Sequence, residues 1–465
     1  MDKVEQRRTG MGVLIRQQAR ESRYLQHALF ALACTLALNI ASADPSVSAA
    51  SPALREADPQ AQGFSAERLQ RLQDYLGGLV DSGQVPGYSA LLARKGQVVW
   101  AAHYGMADDV QRVPLSEDSI FRVYSQTKVV TGVALMMLFE QGKWHFDDPI
   151  TKYIPEFEHL RVFKQQNQDG SLELEDLQRP PTMRELVTHA AGFGYGLGKD
   201  TPVEAAYWND HYIHSASTDA AIAKLAELPM ASQPGLHWHY SAAVDVQGYI
   251  IERISGQRLD EFMQNHVFGP LGMTDTAFHV PADKWSRLVR LRAYDSTTRT
   301  LVDANDPVLV LDYSKPPAVA SGGAGLVSTV QDFARFAQML VNDGELDGVR
   351  ILSPAAVKLL CSNQLSEQIR STPGEGFNHD SGWGFGVDVA VITDQAKAGT
   401  LRPAGSYEWG GAAGTWFWVD PVNDVIFIGM IQVMNRWGHP QLVNIDKDSA
   451  ALVYGALVEP EVARH

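Results

Sequence analysis

The sequence predicts an α/β fold of the α+β kind: an antiparallel sheet built from both chain ends and flanked by helices, with a mostly helical region inserted at about residues 145–325. Three observations predict it. Strand patterns occur early, at 87–105, and late, between 382 and 433. Helical patterns such as Asp219 to Leu228 and Val244 to Ile254 dominate the stretch between them. The folded part also begins and ends on helical patterns, near Ser65 and over Asp446 to Leu457.

In chain order, residues 1–43 read as an export signal. Arg16, Arg20 and Arg23 precede an apolar run from Ala28 to Ile40, which is closed by the small residues Ala41-Ser42-Ala43. This predicts cleavage after Ala43, a periplasmic or secreted protein, and no stable membrane insertion once the signal is gone. Residues 44–62 are small, polar and Pro-rich, the composition of a flexible leader. A single domain is expected over 63–460. Ser65-Ala66-Glu67-Arg68 with Leu69, Leu72, Tyr75 and Leu76 gives an N-cap and a helical stripe. Gly87 to Arg94, Lys95-Gly96-Gln97 and Val98 to Gly105 read as a β-hairpin. Late strands are expected at Gly382 to Val387, Tyr407 to Gly411, Thr415 to Val419 and Val425 to Val433.

Composition narrows the class. The 465 residues are 45% hydrophobic and 20% charged, ordinary for a globular chain with a large core. Removing residues 1–43, which hold six Lys/Arg and three Asp/Glu, moves the formal charge from −15 to −18. Such a surface repels nucleic acid and anionic lipid, and phosphate loops and basic runs are absent. Of the two cysteines, Cys34 falls in the signal and Ala31 stands where a lipobox wants Leu. Cys361 is then alone, which excludes an internal disulfide and a cysteine zinc cage, and its apolar surroundings make it helix core. The pairs His211/His214 and His237/His239 lack further ligands at metal-site spacing, so neither a metal nor an organic cofactor is expected.

Ser125-Gln126-Thr127-Lys128 is the only S-x-x-K in the chain, and it opens the apolar run Val129 to Phe139. A hydroxyl and an amine three residues apart share one helix face, the layout of an activated serine. The helix dipole favours a developing Ser125 alkoxide, and burial in such a run is expected to depress the lysine pKa until Lys128 can accept a proton. No G-x-S-x-G pentapeptide competes for the nucleophile role. Tyr240, in a loop before a helix, is a second candidate for proton transfer.

Ser125-x-x-Lys128, Tyr240-Ser241-Ala242 and Trp409-Gly410-Gly411, in this order, resemble the serine hydrolase superfamily of class C β-lactamases, DD-peptidases and family VIII esterases. The resemblance covers about residues 64–457 and includes Thr182 to His189 with Gly192, Pro270 to Met273, and Ser321 to Leu326. It implies the β-lactamase/transpeptidase-like fold. It also implies a catalytic set of Ser125, Lys128 and Tyr240, with either Lys128 or Tyr240 as the base. The two glycines would let an edge strand approach the nucleophile, so that the backbone N–H groups of Ser125 and Ala412 form an oxyanion hole.

Two departures from the family pattern bear on substrate. Where β-lactamases and DD-peptidases place a Lys-Thr-Gly that grips a carboxylate, this chain has Trp409, Gly410 and Gly411 as the substrate-binding wall. Where those β-lactamases carry an asparagine two residues after the tyrosine, it has Ala242. Both changes remove polar contacts and favour a neutral ester over a lactam. The expected activity is therefore carboxylic ester cleavage through an acyl-enzyme on Ser125, on a small-molecule ester with a short, neutral acyl chain. The alternatives are a β-lactamase or D-amino-acid peptidase acting on cell-wall-derived substrates, for which Arg184, Arg402 or Arg436 would have to replace the lost lysine, and a non-catalytic binding or assembly relative.

Overall fold

The computed structural model describes residues 54–306, 310–374 and 376–460. The expected export signal and the first part of the leader lie outside the described residues. The elements that build the site are, in chain order, α1 (Ala66–Asp81), β1 (Gly87–Arg94), β2 (Gln97–Asp108), α2 (Thr127–Glu140), α3 (Ala243–Ser255), α4 (Val330–Val341), β3 (Trp383–Phe385), β4 (Ala390–Ile392), β5 (Tyr407–Gly411), β6 (Thr415–Asp420), β7 (Val425–Met430) and α5 (Ile445–Ala456).

The two chain ends form one antiparallel sheet in the order β2-β1-β7-β6-β5-β4-β3, with short strands added at the β2 edge. The β1/β2 hairpin turns on Lys95 and Gly96, both at positive φ, as a tight two-residue connection requires. β7 then pairs with β1 from Val425↔Arg94 to Met430↔Ser89, which joins residues over 300 positions apart. Period-two alternation separates two apolar layers. Leu92, Trp418 and Phe427 face α1 and α5, whose Leu69, Leu72, Leu76 and Val453 cover them. Leu91, Phe417 and Ile426 face α2, α3 and α4. The α2 helix carries almost no polar side chain because it runs through the middle of this second layer, with Val129 to Met136 fully buried.

The structure departs from the sequence reading at three places. Residues 54–62 belong to the folded body rather than to a flexible leader: Arg55–Glu56 pairs parallel with Gln97–Val98, and Gln60–Gln62 forms a 3-10 turn. The cause is Arg94, whose buried guanidinium donates to the carbonyls of Gln62 and Glu459 (both 2.8 Å) and Asn423 (3.0 Å). The last strand stops at Met430, because Gln432 turns away to exchange hydrogen bonds with the Arg122 backbone, and Val433–Met434 pairs instead with Arg292–Ala293. Within 145–325, two hairpins interrupt the helices, Arg161–Gln166 with Leu172–Asp176 and Arg292–Asp295 with Thr300–Asp303. Both are short; the first carries a brief Leu172-Glu173-Leu174-Glu175 alternation and is held in part by side-chain pairs such as Lys164–Glu173, too local a signal to stand out among the surrounding helical patterns.

Replacing Arg94 with Met leaves three backbone carbonyls without that donor. We expect Arg94→Met to lower unfolding stability by about 3 kcal/mol in urea titrations and to open residues 54–62 to limited proteolysis.

Candidate active site

Ser125 lies in a 3-10 turn, Tyr124–Gln126, that feeds directly into α2. Tyr124 precedes it with φ 42°, a left-handed conformation costly for a bulky side chain, which turns the serine out of the core. Ser125 keeps partial exposure, whereas Gln126, Thr127 and Lys128 are buried. The lysine is 0% exposed, and its Nζ donates to the Gly323 carbonyl at 2.7 Å, to Tyr195 Oη at 2.8 Å and to Ser125 Oγ at 3.4 Å. Burial by itself pushes this ammonium down, but the neighbouring Tyr195 and Tyr240 hydroxyls outweigh it and hold the lysine above its ordinary value. The sequence reading has burial turn Lys128 into a neutral acceptor; three oxygen acceptors around its three N–H donors oppose that effect.

The Gly323 carbonyl is itself fixed in place. Asp245, on the first turn of α3, accepts hydrogen bonds from Ser321 Oγ (2.6 Å), Gly323 N–H (3.0 Å) and Tyr212 Oη (2.8 Å). Thr131, one turn after Lys128, donates to the Gly322 carbonyl at 2.8 Å. A Cβ on Gly322 would lie 2.5 Å from the Val244 carbonyl, so only glycine lets the loop pass this close to α3.

Tyr240 stands beside this lysine, with its ring centroid 4.7 Å from Nζ, in an aromatic cage of His189, Tyr195, Trp238 and Trp409. One carboxylate braces both tyrosine loops. Glu204 accepts the backbone N–H groups of Tyr195 (3.1 Å) and Gly196 (2.7 Å) and pairs with His239 Nε2 at 2.9 Å, immediately before Tyr240. These bonds hold the Glu204 carboxyl below the usual range against the opposing effect of burial. His189 is fully buried under Tyr240, and its Nδ1 accepts the Ser241 N–H at 3.2 Å. Burial, with the charge of Lys128 adding to it, pushes this imidazole well below the usual histidine range, so it stays neutral.

β5 closes the site from the other side. A Cβ on Gly411 would fall 2.3 Å from the Val123 carbonyl, so the glycine is what lets this strand run against the segment that carries Ser125. Trp409 packs on Tyr240 and Phe385, with centroids at 5.6 and 5.3 Å, and Gly410 lines the same cavity. Ser125 and Ala412 together border two cavities, of about 470 Å³ and about 100 Å³.

The structure therefore gathers Ser125, Lys128, Tyr240, Trp409, Gly410, Gly411 and Ala412 at one place. Sequence reasoning missed Tyr195, Glu204 and Asp245. Tyr195 had a signal in its setting, Gly192-Phe193-Gly194-Tyr195-Gly196, a glycine cluster that brings backbone close to a site. Glu204 and Asp245 had none, being single acids in helical first turns. Of the histidines, His239 is bound to Glu204, and His211 and His214 only pack on each other, with ring centroids 6.2 Å apart. Among the described residues no group of three or more His, Cys, Asp or Glu could hold a metal ion. Burial pushes the Cys361 thiol up to about 12, so it is not a ready nucleophile.

A family model described as Beta-lactamase matches residues 72–454. The chain is 31% identical over 379 residues to the esterase EstB of Burkholderia gladioli, covering 77% of this chain and 90% of that protein. It is 27% identical over 341 residues to a lovastatin esterase of Penicillium rubens, covering 70% and 82%. Simvastatin synthase (LovD) from Aspergillus terreus superposes with a TM-score of 0.71 at 21% identity, over 84% of this chain and 99% of that one, a likeness of fold. The chain belongs to the Beta-lactamase family and has its fold.

Because folded His189 stays neutral while the unfolded chain takes up a proton below about pH 6.5, its contribution to stability is complete above that pH and is lost as pH falls. Urea unfolding between about pH 5 and 7 should show His189→Gln losing part of the wild-type acid slope, up to about 1.4 kcal/mol per pH unit.

Proposed function

We propose that this member of the Beta-lactamase family is an exported serine carboxylesterase that cleaves neutral esters through an acyl-enzyme on Ser125. The observation that carries the reading is the buried Lys128 ammonium, bonded at once to the serine side and to a tyrosine, with an indole where the family's carboxylate-gripping cation would stand. In the first half-reaction Tyr240 acts from its deprotonated form, as the phenolate that the Lys128 ammonium pairs with, and takes the Ser125 hydroxyl proton as Oγ attacks the ester carbonyl carbon. The N–H groups of Ser125 and Ala412 receive the oxyanion. The bond to the alcohol oxygen then breaks, and Tyr240 returns the proton to the leaving alkoxide. Water repeats the cycle on the acyl-enzyme, giving its proton to Tyr240 and its oxygen to the acid, and Ser125 is reprotonated. Lys128 stabilises negative charge as it passes through these oxygens, and Tyr195 holds Lys128 in register.

Of the cations that a carboxylate-bearing cell-wall substrate would need, Arg184 and Arg402 are engaged elsewhere, and Arg436, which borders the cavity beside Ser125, is buried. Arg184 donates to Gln364 at 2.6 Å, Arg402 is paired with Glu408, and buried Arg436 donates to the Leu442 carbonyl at 3.2 Å with Asp446 3.9 Å away. Ala242 is 0% exposed and offers no amide partner. The esterases among the relatives agree with this reading.

A fluorophosphonate probe should label the wild type and not Ser125→Ala. Lys128→Met and Tyr240→Phe should each lower kcat for a short-chain nitrophenyl ester by roughly 10²- to 10⁴-fold, and Tyr195→Phe by a smaller factor. Labelling that survives Ser125→Ala, or a chromogenic cephalosporin turned over faster than the ester, would overturn the assignment.

A further inference from the structure

We infer that the cavity of about 470 Å³ beside Ser125 receives a saccharide, so that the ester cleaved is an O-acylated neutral sugar. This rests on the ester reading above and adds the chemical class of the group that the cavity recognises.

The border of this cavity carries charge in compensated pairs. Glu408, Arg436 and Asp446 all lie on it. Glu408 is bonded to the guanidinium of Arg402, and Arg436 stands 3.9 Å from Asp446. Two carboxylates against two guanidiniums leave no net charge for a charged ligand to answer.

Hydrogen-bonding capacity nevertheless remains. Trp409 Nε1, Arg436 Nε and Asp446 Oδ1 are buried without a hydrogen-bond partner among the described residues, two donors and one acceptor. Glu408 keeps a second oxygen beyond the one that Arg402 engages. Asn435, exposed on the same border, adds a carboxamide with its own donors and acceptor. Donors and acceptors are thus mixed around a space of no net charge. A hydroxyl is both donor and acceptor, so a ring bearing several of them satisfies such walls, whereas a hydrocarbon ring would leave them unpaired.

The chain places a stacking surface beside these groups. After Val433–Met434 pairs with Arg292–Ala293, Asn435 turns at φ 60°, a left-handed conformation that asparagine tolerates. The 3-10 turn Arg436–Gly438 follows, and it sends Arg436 into the interior while Trp437 stays 56% exposed. The Arg436 guanidinium lies 4.6 Å from the Trp437 ring centroid, a cation–π contact that steadies the indole from one side. The exposed remainder is a flat apolar platform at the cavity border, suited to the C–H face of a pyranose. Trp409 and Tyr240 extend this aromatic surface toward Ser125. Aromatic faces together with neutralised, under-bonded polar groups favour a sugar over a hydrocarbon, a peptide carboxylate or a cation.

The test compares acetates of equal ring size: the methyl 6-O-acetyl glycosides of glucose, galactose and mannose against cyclohexylmethyl acetate, a primary ester on the same six-membered ring without hydroxyls. Each kcat/KM is divided by the rate of that ester with hydroxide, which removes differences in leaving-group acidity. At least one glycoside acetate should exceed cyclohexylmethyl acetate by about tenfold or more. Trp437→Ala, and Asn435→Gly, which keeps the turn and removes the carboxamide, should each lower that ratio by about threefold or more. Cyclohexylmethyl acetate matching all three glycosides would overturn the inference. So would either variant that still reacts with fluorophosphonate at Ser125 and leaves the ratio unchanged; should a variant no longer react there, the wild-type comparison decides alone. Wild-type protein that reacts at Ser125 but cleaves no acetate of the set also overturns it, whereas protein that fails to react at Ser125 overturns the underlying ester reading instead.

Discussion

A lysine side chain with 0% exposure is the constraint around which this molecule is arranged. A cation taken out of water must find acceptors for its N–H groups or give up its proton. Here the acceptors come from three separate places in the chain: the nucleophile one turn away, Tyr195 in a glycine-rich loop, and the Gly323 carbonyl. Each acceptor then needs its own support. Asp245 and Thr131 hold the 321–323 loop, and Glu204 holds the Tyr195 backbone while also gripping His239. Electrostatics at one atom thus accounts for polar residues spread through an otherwise apolar layer.

The sheet supplies the other half of the arrangement. The pairing of β7 with β1 fixes the two chain ends to each other, and β5 can then reach the Val123–Ser125 segment only because Gly411 has no side chain. The same lack of side chains leaves the wall beside Ser125 to Trp409, so that the close approach of the strand and the aromatic wall come from one short element. The α2 helix gives rigidity in turn: Ser125 sits on a strained turn whose following residues are locked in the core. A side chain on such a base has little freedom left to lose.

How much of this could be read from the sequence depended on how local each signal was. The first helix, the β1/β2 hairpin, β5, β6 and the terminal helix were legible because N-caps, turn residues and periodicity all lie within a dozen residues. That Ser125, Lys128, Tyr240 and the Trp409 strand belong together was legible as an ordered series of motifs, and the structure gathers them at one place. The partners of Lys128 were not, since Gly323 and Tyr195 lie 195 and 67 residues away. Glu204 and Asp245 were equally hidden: a lone acid near a helix N-terminus reads as a capping residue, and only the tertiary structure shows that its remaining oxygen valence goes to a loop bearing a tyrosine or a carbonyl. The order of residues 54–62 escaped for the same reason, being set by Arg94 from the far end of β1.

The protonation state of Lys128 in the resting protein is the most direct check on this account. Selective ¹⁵N labelling of lysine, with Lys128→Met to assign the resonance, reads the state of Nζ across a pH titration. The account requires an ammonium signal for Lys128 that persists from about pH 6 to about pH 10, at or beyond the ordinary lysine value. A Lys128 resonance that is already a neutral amine near pH 8 would contradict it and would return the role of general base to the lysine.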